Sequence, residues 1–181
     1  KFFKYVFSRF NSGLASLPEN GMQSIPNNLM KKIDEENVLF EKKVAEIGGR
    51  KDIVFDDGKR VHANNIVLTG ESRGLVNEPI GQYNYTKTLY ISSRICPKRK
   101  EYIHLYPCDD LINNIAIPTG ISSSYSQNGD HLFSVTVLKD KISENDLIDG
   151  VIKRLKDYYG GDKGDYKFLK CIEIKKGTLR Q

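Results

Sequence analysis

The side chains that most often do chemistry are thinly spread in this chain. His62, His104 and His131 lie far apart and share no metal-ligand spacing with one another or with Cys96, Cys108 and Cys171. Neither a zinc site nor a complete disulfide framework follows from such a set, and no metal is expected. An odd number of thiols with no C-x-x-C spacing suits a reducing compartment, so the cytoplasm is the expected location. Asp56-Asp57 and Asp109-Asp110 are carboxylate pairs of the right type for acid-base work. Both fall in segments with turn character, where aspartate has a local hydrogen-bonding reason to be, and no general-acid role is assigned to them. Gly160-Gly161-x-x-Gly164 could approach a phosphate. It follows a helical pattern instead of a strand, however, and so reads as a helix stop and loop. Lys98-Arg99-Lys100 is a compact cationic cluster in a turn, where solvated charge is ordinary, and nucleic acid is not an expected partner.

The elements that would position these residues form an orderly series. The chain has 181 residues, 39% hydrophobic and 28% charged, with a formal charge of +5. That composition suits one large or two small globular domains. No stretch approaches the roughly 18–20 consecutive apolar residues of a membrane helix, so no transmembrane segment is expected. Phe3, Phe7, Phe10, Leu14 and Leu17 recur at helical spacing, which predicts a helix ending at Leu17-Pro18. The same segment is basic and acid-poor like a transit peptide, but a cleaved peptide would not need that spacing. Ser24 and Pro26 open a second short helix with Ile25, Leu29 and Ile33 on one face.

Strands are expected at Val38-Leu39-Phe40, at Lys43 to Ile47, and in a hairpin from Asp52 to Ala63 that turns at Asp57-Gly58 through a type I′ turn. Ile66-Val67-Leu68 reads as a further, fully buried strand, followed by Thr69-Gly70. After a loop at Glu71-Ser72-Arg73-Gly74 the pattern changes to strands without intervening helices, at Tyr85 to Ser92, Glu101 to Pro107, Leu111 to Pro118 and His131 to Leu138. Such strands pair antiparallel. Ser143-x-x-Asp146 then caps a helix striped by Leu147, Ile148, Val151, Ile152, Leu155 and Tyr159 and stopped by Gly160-Gly161. A last strand runs from Tyr166 to Ile174.

The ordered string Leu17-Pro18-x-x-Gly21-Met22-x-x-Ile25-Pro26-x-x-Leu29, Val38-x-Phe40-x-x-x-Val44-x-x-Ile47, Phe55-x-Asp57-Gly58 and Ile66-Val67-Leu68-Thr69 resembles the middle of the flavin-containing amine oxidase superfamily, with its phytoene-dehydrogenase-like branch. The later runs, Thr88 to Ile91, Ile103 to Leu105, Ile112 to Pro118 and His131 to Val137, with the helix ending at Tyr158-Tyr159-Gly160, resemble the substrate-domain sheet and helix of that branch. The resemblance implies an internal piece of an α+β enzyme. Residues 1–20 would be a helix of the substrate domain or a connection between domains, 21–72 part of an α/β FAD-binding domain, and 73–181 part of a mostly antiparallel substrate domain.

What the resemblance implies in function is an FAD-dependent oxidoreductase that takes hydride from a small amine or carbon substrate, the isolated segment being inactive. The alternatives are a flavin-dependent mutase or isomerase of similar architecture, whose sheet binds a nucleotide sugar, and a non-enzymatic basic binding module built on Lys98, Arg99 and Lys100. Residue by residue, the resemblance places Val44 against the adenine of FAD, Thr69 and Gly70 near the cofactor where small residues admit the backbone, and Lys87 toward the flavin through a water. The pyrophosphate of FAD needs backbone N–H groups at a helix N-terminus, and no stretch of this sequence has that form, so the 181-residue chain is not expected to hold FAD tightly.

Overall fold

The computed structural model describes residues 2–13, 16–49, 51–76, 81–139 and 141–179. Its helices are α1 (Phe2–Phe10), α2 (Ser24–Met30) and α3 (Glu144–Tyr159). Its strands are β1 (Val44–Ile47), β2 (Asp52–Phe55), β3 (Arg60–His62), β4 (Tyr83–Ser93), β5 (His104–Leu105), β6 (Ile112–Ala116), β7 (His131–Val137) and β8 (Tyr166–Leu179). The architecture is α+β, with helices beside a three-stranded sheet ordered β1-β2-β3 and a five-stranded sheet ordered β5-β6-β7-β4-β8. Two compact units result, one from residues 1–27 with 84–178 and the other from 28–83 with 179–181.

In the first unit α3 covers one face of the five-stranded sheet. Leu147, Val151 and Leu155 recur every four residues, so they form one apolar stripe along the helix. The stripe packs on Leu89 and Ile91 of β4, Ile112 and Ile115 of β6, and Phe133, Val135 and Val137 of β7, all buried. At the start of the helix the Ser143 Oγ accepts the Asp146 N–H at 3.2 Å, as expected from the capping spacing. At its end Gly160, at φ 82°, takes the left-handed conformation that a side chain would resist, and its N–H donates to the Lys156 carbonyl. The Tyr166 hydroxyl, at the head of β8, donates to the carbonyls of Leu155 at 3.2 Å and Gly160 at 2.8 Å, tying the last strand to the helix terminus.

A charged brace fastens the turn between β5 and β6 to the same helix. The Asp109 side chain, only 7% exposed, accepts the N–H groups of Leu111 and Ile112 at 2.7 Å each, Arg154 Nε at 2.9 and 3.0 Å, and the Tyr158 hydroxyl. Arg154 also reaches Asp110, which takes Lys139 Nζ at 3.1 Å. Tyr106 stacks on Tyr158 with ring centres 4.1 Å apart. Desolvation works to raise the Asp109 carboxyl, but the donors from Tyr158, the two backbone amides and Arg154 outweigh it and hold the group down at about 2. Desolvation and the bond to Asp109 together push the Tyr158 hydroxyl up to about 12. The turn reading of Asp109-Asp110 thus stands on observed backbone bonds.

The second unit holds the hairpin, and its turn differs from the expected one. Gly58 has φ 81°, but Asp57 is not among the positive-φ residues. The Gly58 N–H donates to the Phe55 carbonyl and the Phe55 N–H to the Lys59 carbonyl. The connection is therefore a three-residue loop, Asp56 to Gly58, built on an ordinary turn with one left-handed glycine; only one residue has to be left-handed, which glycine supplies at no cost. Val38 to Phe40 forms no strand, and Phe40 is 74% exposed. Ile66 to Leu68 is also unpaired, with Val67 86% exposed. A strand apolar on both faces needs flanking strands to hydrogen-bond to, and among the described residues none lies beside this one.

Smaller differences have similar local causes. Helix α1 stops at Phe10, short of Leu17, because Ser12 turns back with both its N–H, at 3.1 Å, and its hydroxyl, at 2.8 Å, on the Arg9 carbonyl; Leu14 lies outside the described residues. The strand expected from Glu101 shrinks to His104–Leu105, since the preceding residues make a turn with Tyr102 N–H on the Arg99 carbonyl. β8 runs on to Leu179, beyond the expected Ile174.

Two predictions follow from this packing. Phe133→Ala empties a fully buried site on β7 and should lower the unfolding free energy by about 3–5 kcal/mol, read from urea melts. The Asp109 carboxyl sits below its ordinary unfolded value near 3.9, so its stabilisation is complete above about pH 4 and is lost as the pH falls toward 2. Asp109→Asn should cost about 1–3 kcal/mol at pH 7 and flatten the acid side of a stability-against-pH curve.

Candidate functional site

Alternation along the strands divides the five-stranded sheet into two chemically distinct faces. Leu89, Ile91, Phe133, Val135 and Val137 look toward α3. The residues between them, Thr88, Tyr90 and Ser92 on β4 and Leu132, Ser134 and Thr136 on β7, must then look the other way, and all are half-buried. The register aligns them in rows. Thr136 stands opposite both Thr88 and Asn114, Ser134 opposite both Tyr90 and Ala116, and Leu132 opposite Ser92. This face carries hydroxyls and an amide where the other carries a core.

At one end of the polar face lies a pocket of about 280 Å³, lined by Ser92, Tyr125, Asn128, Asp130, Leu132 and Lys167 among others. Ser92 Oγ and Asn128 Nδ2 each donate to the Asp130 carboxylate at 2.9 Å, which sets the acceptor in place. The loop bearing Tyr125 is anchored, because the Tyr125 hydroxyl donates to the Pro18 carbonyl at 2.6 Å and Ser124 Oγ to the Glu19 carbonyl at 2.5 Å. A fixed carboxylate, a cation and several hydroxyls around a small hollow suit a ligand with many hydroxyl or amide groups.

The three-stranded unit holds a cavity of the opposite character. About 540 Å³ in volume, it is lined by Val44, Ile47, Ile53, Ile66, Leu68 and Leu75, with Lys43 and Ser72 as its polar members. Ser72 is fixed by its neighbours: its Oγ accepts the Thr69 N–H at 2.9 Å and donates to the Thr69 carbonyl at 2.6 Å. Gly70 opens the short 3-10 helix Gly70–Val76 that follows.

Three of the four residues expected at a cofactor are therefore neighbours of one pocket. Val44 lines it, while Thr69 and Gly70 adjoin its Ser72 wall. Lys87 lies in the other unit. It pairs with Val137 and has the parity of Leu89 and Ile91, which places it on the α3 side of the sheet, with Nζ 5.9 Å from the centre of the Tyr85 ring. The residues of the polar face were not singled out in the sequence, although the period-2 pattern in Thr88 to Ser92 and Leu132 to Thr136 marks them.

The apolar pocket has walls and volume for a flat ring system of the flavin or adenine kind. A pyrophosphate is a different matter at the Gly160-Gly161-x-x-Gly164 loop, the glycine run singled out in the sequence. Gly160 caps α3, and beyond it the Asp162 N–H already donates to Asp165 at 2.7 Å in a reciprocal cap that brings two carboxylates to the loop. The apolar pocket thus has room for one ring of FAD, and the Gly160 loop, with its two carboxylates, does not fit the phosphates.

Comparison with known proteins finds likeness among solved structures only. No protein-family profile matches the chain, and no curated protein matches it. Among solved structures, reduced UDP-galactopyranose mutase is similar over 90% of this chain and 41% of its own, at 16% identity and a TM-score of 0.66. A Pyrococcus furiosus protein is similar over 85% of this chain and 42% of its own, at 14% identity and a TM-score of 0.61. An oxidoreductase from Methanosarcina mazei covers 72% of the chain and 35% of its own, at 15% identity and a TM-score of 0.48. The likeness is one of fold, and the chain spans about two fifths of the length of the first two structures.

Proposed function

We propose that this chain is part of a flavin-dependent enzyme. The observation that carries the reading is the likeness in fold to reduced UDP-galactopyranose mutase over 90% of the chain. The apolar pocket at Val44, with Thr69 and Gly70 beside it, supports the same reading as the place where one ring of FAD would rest. When bound, FAD would supply the two-electron chemistry, and the protein position and electrostatics. In the oxidoreductase form, the substrate is a small amine or carbon compound that gives up hydride, and it lies on the polar sheet face beside Tyr90 and Ser134. The segmentation that goes with it has residues 21–72 as cofactor-domain material and 73–181 as substrate-domain material, with 1–20 as a helix serving the latter.

A second reading, a flavin-dependent mutase or isomerase acting on a nucleotide sugar, is favoured by the rows Thr88-Thr136-Asn114 and Tyr90-Ser134 and by the Asp130 pocket. Hydroxyl and amide side chains match the hydroxyls of a sugar, and an apolar polyene would leave them unpaired. A non-enzymatic nucleic-acid module gains nothing from either pocket.

The two enzymatic readings predict different experiments on the longer protein. Amines or unsaturated carbon substrates should drive oxygen consumption or dye reduction in the first case; in the second, a nucleotide sugar should interconvert with no net reduction of acceptor. In both, Tyr90→Phe with Ser134→Ala should raise KM about tenfold, at the scale of one or two lost hydrogen bonds, and an unchanged KM would remove the polar face from substrate binding. The role of Lys87 rests on the family resemblance alone. Slowed flavin reduction or reoxidation in Lys87→Met would keep it at the cofactor, and unchanged rates would remove it. The purified 181-residue chain should carry FAD far below stoichiometry, since its glycine-rich loop at Gly160 follows a helix and turns carboxylates toward the place a phosphate would take; a near-stoichiometric flavin absorption band would contradict that.

A further inference from the structure

The turn before β5 has features that neither pocket uses. Tyr102, Ile103 and Leu105 are 62%, 64% and 71% exposed, three large apolar side chains gathered at one edge of the five-stranded sheet. Before them stand Lys98, Arg99 and Lys100, none of which has an ion-pair partner among the described residues, followed by the single carboxylate of Glu101. A cleft of about 510 Å³ in the same turn is lined by Arg99, Glu101, Tyr102, Ile103 and His104.

The turn is held in shape before any partner arrives. Arg99 has φ 53°, a left-handed conformation that a non-glycine residue keeps only when its surroundings impose it. The Arg99 carbonyl accepts the Tyr102 N–H at 3.1 Å and His104 Nε2 at 3.0 Å. His104 Nδ1, on the other side of the ring, meets the Tyr159 hydroxyl of α3 at 2.6 Å. Gly120 completes the clamp, because any Cβ at that position would overlap the Lys100 backbone. A rigid turn pays little ordering entropy on binding.

We propose that this turn docks on the surface of an anionic lipid bilayer, with Ile103, Leu105 and the Tyr102 ring entering the headgroup boundary and Lys98, Arg99 and Lys100 meeting lipid phosphates. Exposed apolar side chains beside three cations, against the one carboxylate of Glu101, match that surface on both counts. The chemistry disfavours the other occupants. Nucleic acid would satisfy the cations and leave Ile103 and Leu105 without a partner. A second copy docked patch to patch would bring two sets of unpaired cations together. No helix among the described residues is long and apolar enough to cross a membrane, so this contact would be peripheral.

Flotation of the chain with phosphatidylcholine vesicles, with and without phosphatidylglycerol, tests the proposal. The wild-type chain should float with the anionic vesicles and bind plain phosphatidylcholine at least about tenfold more weakly, at about 1 kcal/mol per cation. Ile103→Ser with Leu105→Ser should reduce binding to the anionic vesicles about tenfold, and Lys98→Gln with Lys100→Gln should do the same and weaken its salt dependence. All four residues lie outside the buried core, and unchanged circular dichroism would show that the fold persists. If either double variant unfolds, the corresponding single substitutions, Ile103→Ser and Lys98→Gln, are read instead, each expected to weaken binding about threefold. Failure to float with anionic vesicles would overturn the proposal. So would binding indifferent to the serine substitutions, salt-sensitive binding to RNA in place of vesicles, or a dimer in sedimentation that the serine substitutions dissolve.

Discussion

The rest of the larger unit depends on one packing event, the burial of the α3 stripe against a single face of the five-stranded sheet. Leu147, Val151 and Leu155 have somewhere to go only because Leu89, Ile91, Phe133, Val135 and Val137 point at them together. Strand geometry then leaves no choice for the intervening residues. A one-residue slip of β4 against β7 would put Thr88, Tyr90 and Ser92 under the helix without hydrogen-bond partners and Leu89 and Ile91 in water, which is why the pairing runs from Lys87–Val137 to Ser93–His131 without a shift. The polar face is thus a by-product of the core, and its chemistry was free to serve a ligand.

Around that packing the structure places polar fasteners where the chain reverses. Asp109 gathers two amides, a guanidinium and a phenol at the turn before β6, while Tyr166 ties the end of α3 to β8 and His104 ties the turn before β5 to Tyr159. In each case a group that would be costly to bury alone is given donors or acceptors in full. The effect is a rigid frame in which loops are held at fixed positions and the exposed residues they carry are presented in one arrangement.

The smaller unit shows what happens when a sheet is short. Three brief strands make the hairpin and its neighbour, and Ile66 to Leu68 contributes side chains to a pocket without pairing to anything described. The result is an apolar hollow bordered by one unpaired apolar segment.

Much of this was legible from residue order because it rests on local rules. The Ser143 cap, the α3 stripe, the Gly160 stop, the alternation in β4 and β7 and the Asp57-Gly58 reversal are each written within a few residues, and the same alternation already sorts Tyr90 from Leu89. What the tertiary structure alone decided involves partners distant in the chain. Val38 to Phe40 and Ile66 to Leu68 look like strands by type, yet a strand exists only where another backbone offers hydrogen bonds. Which strand β4 pairs with, Lys87 opposite Val137, and the gathering of Val44, Ile66 and Ser72 around one cavity depended on how distant parts of the chain come together. Local patterns state which residues prefer to be buried or to turn; only long-range pairing settles what they are buried against.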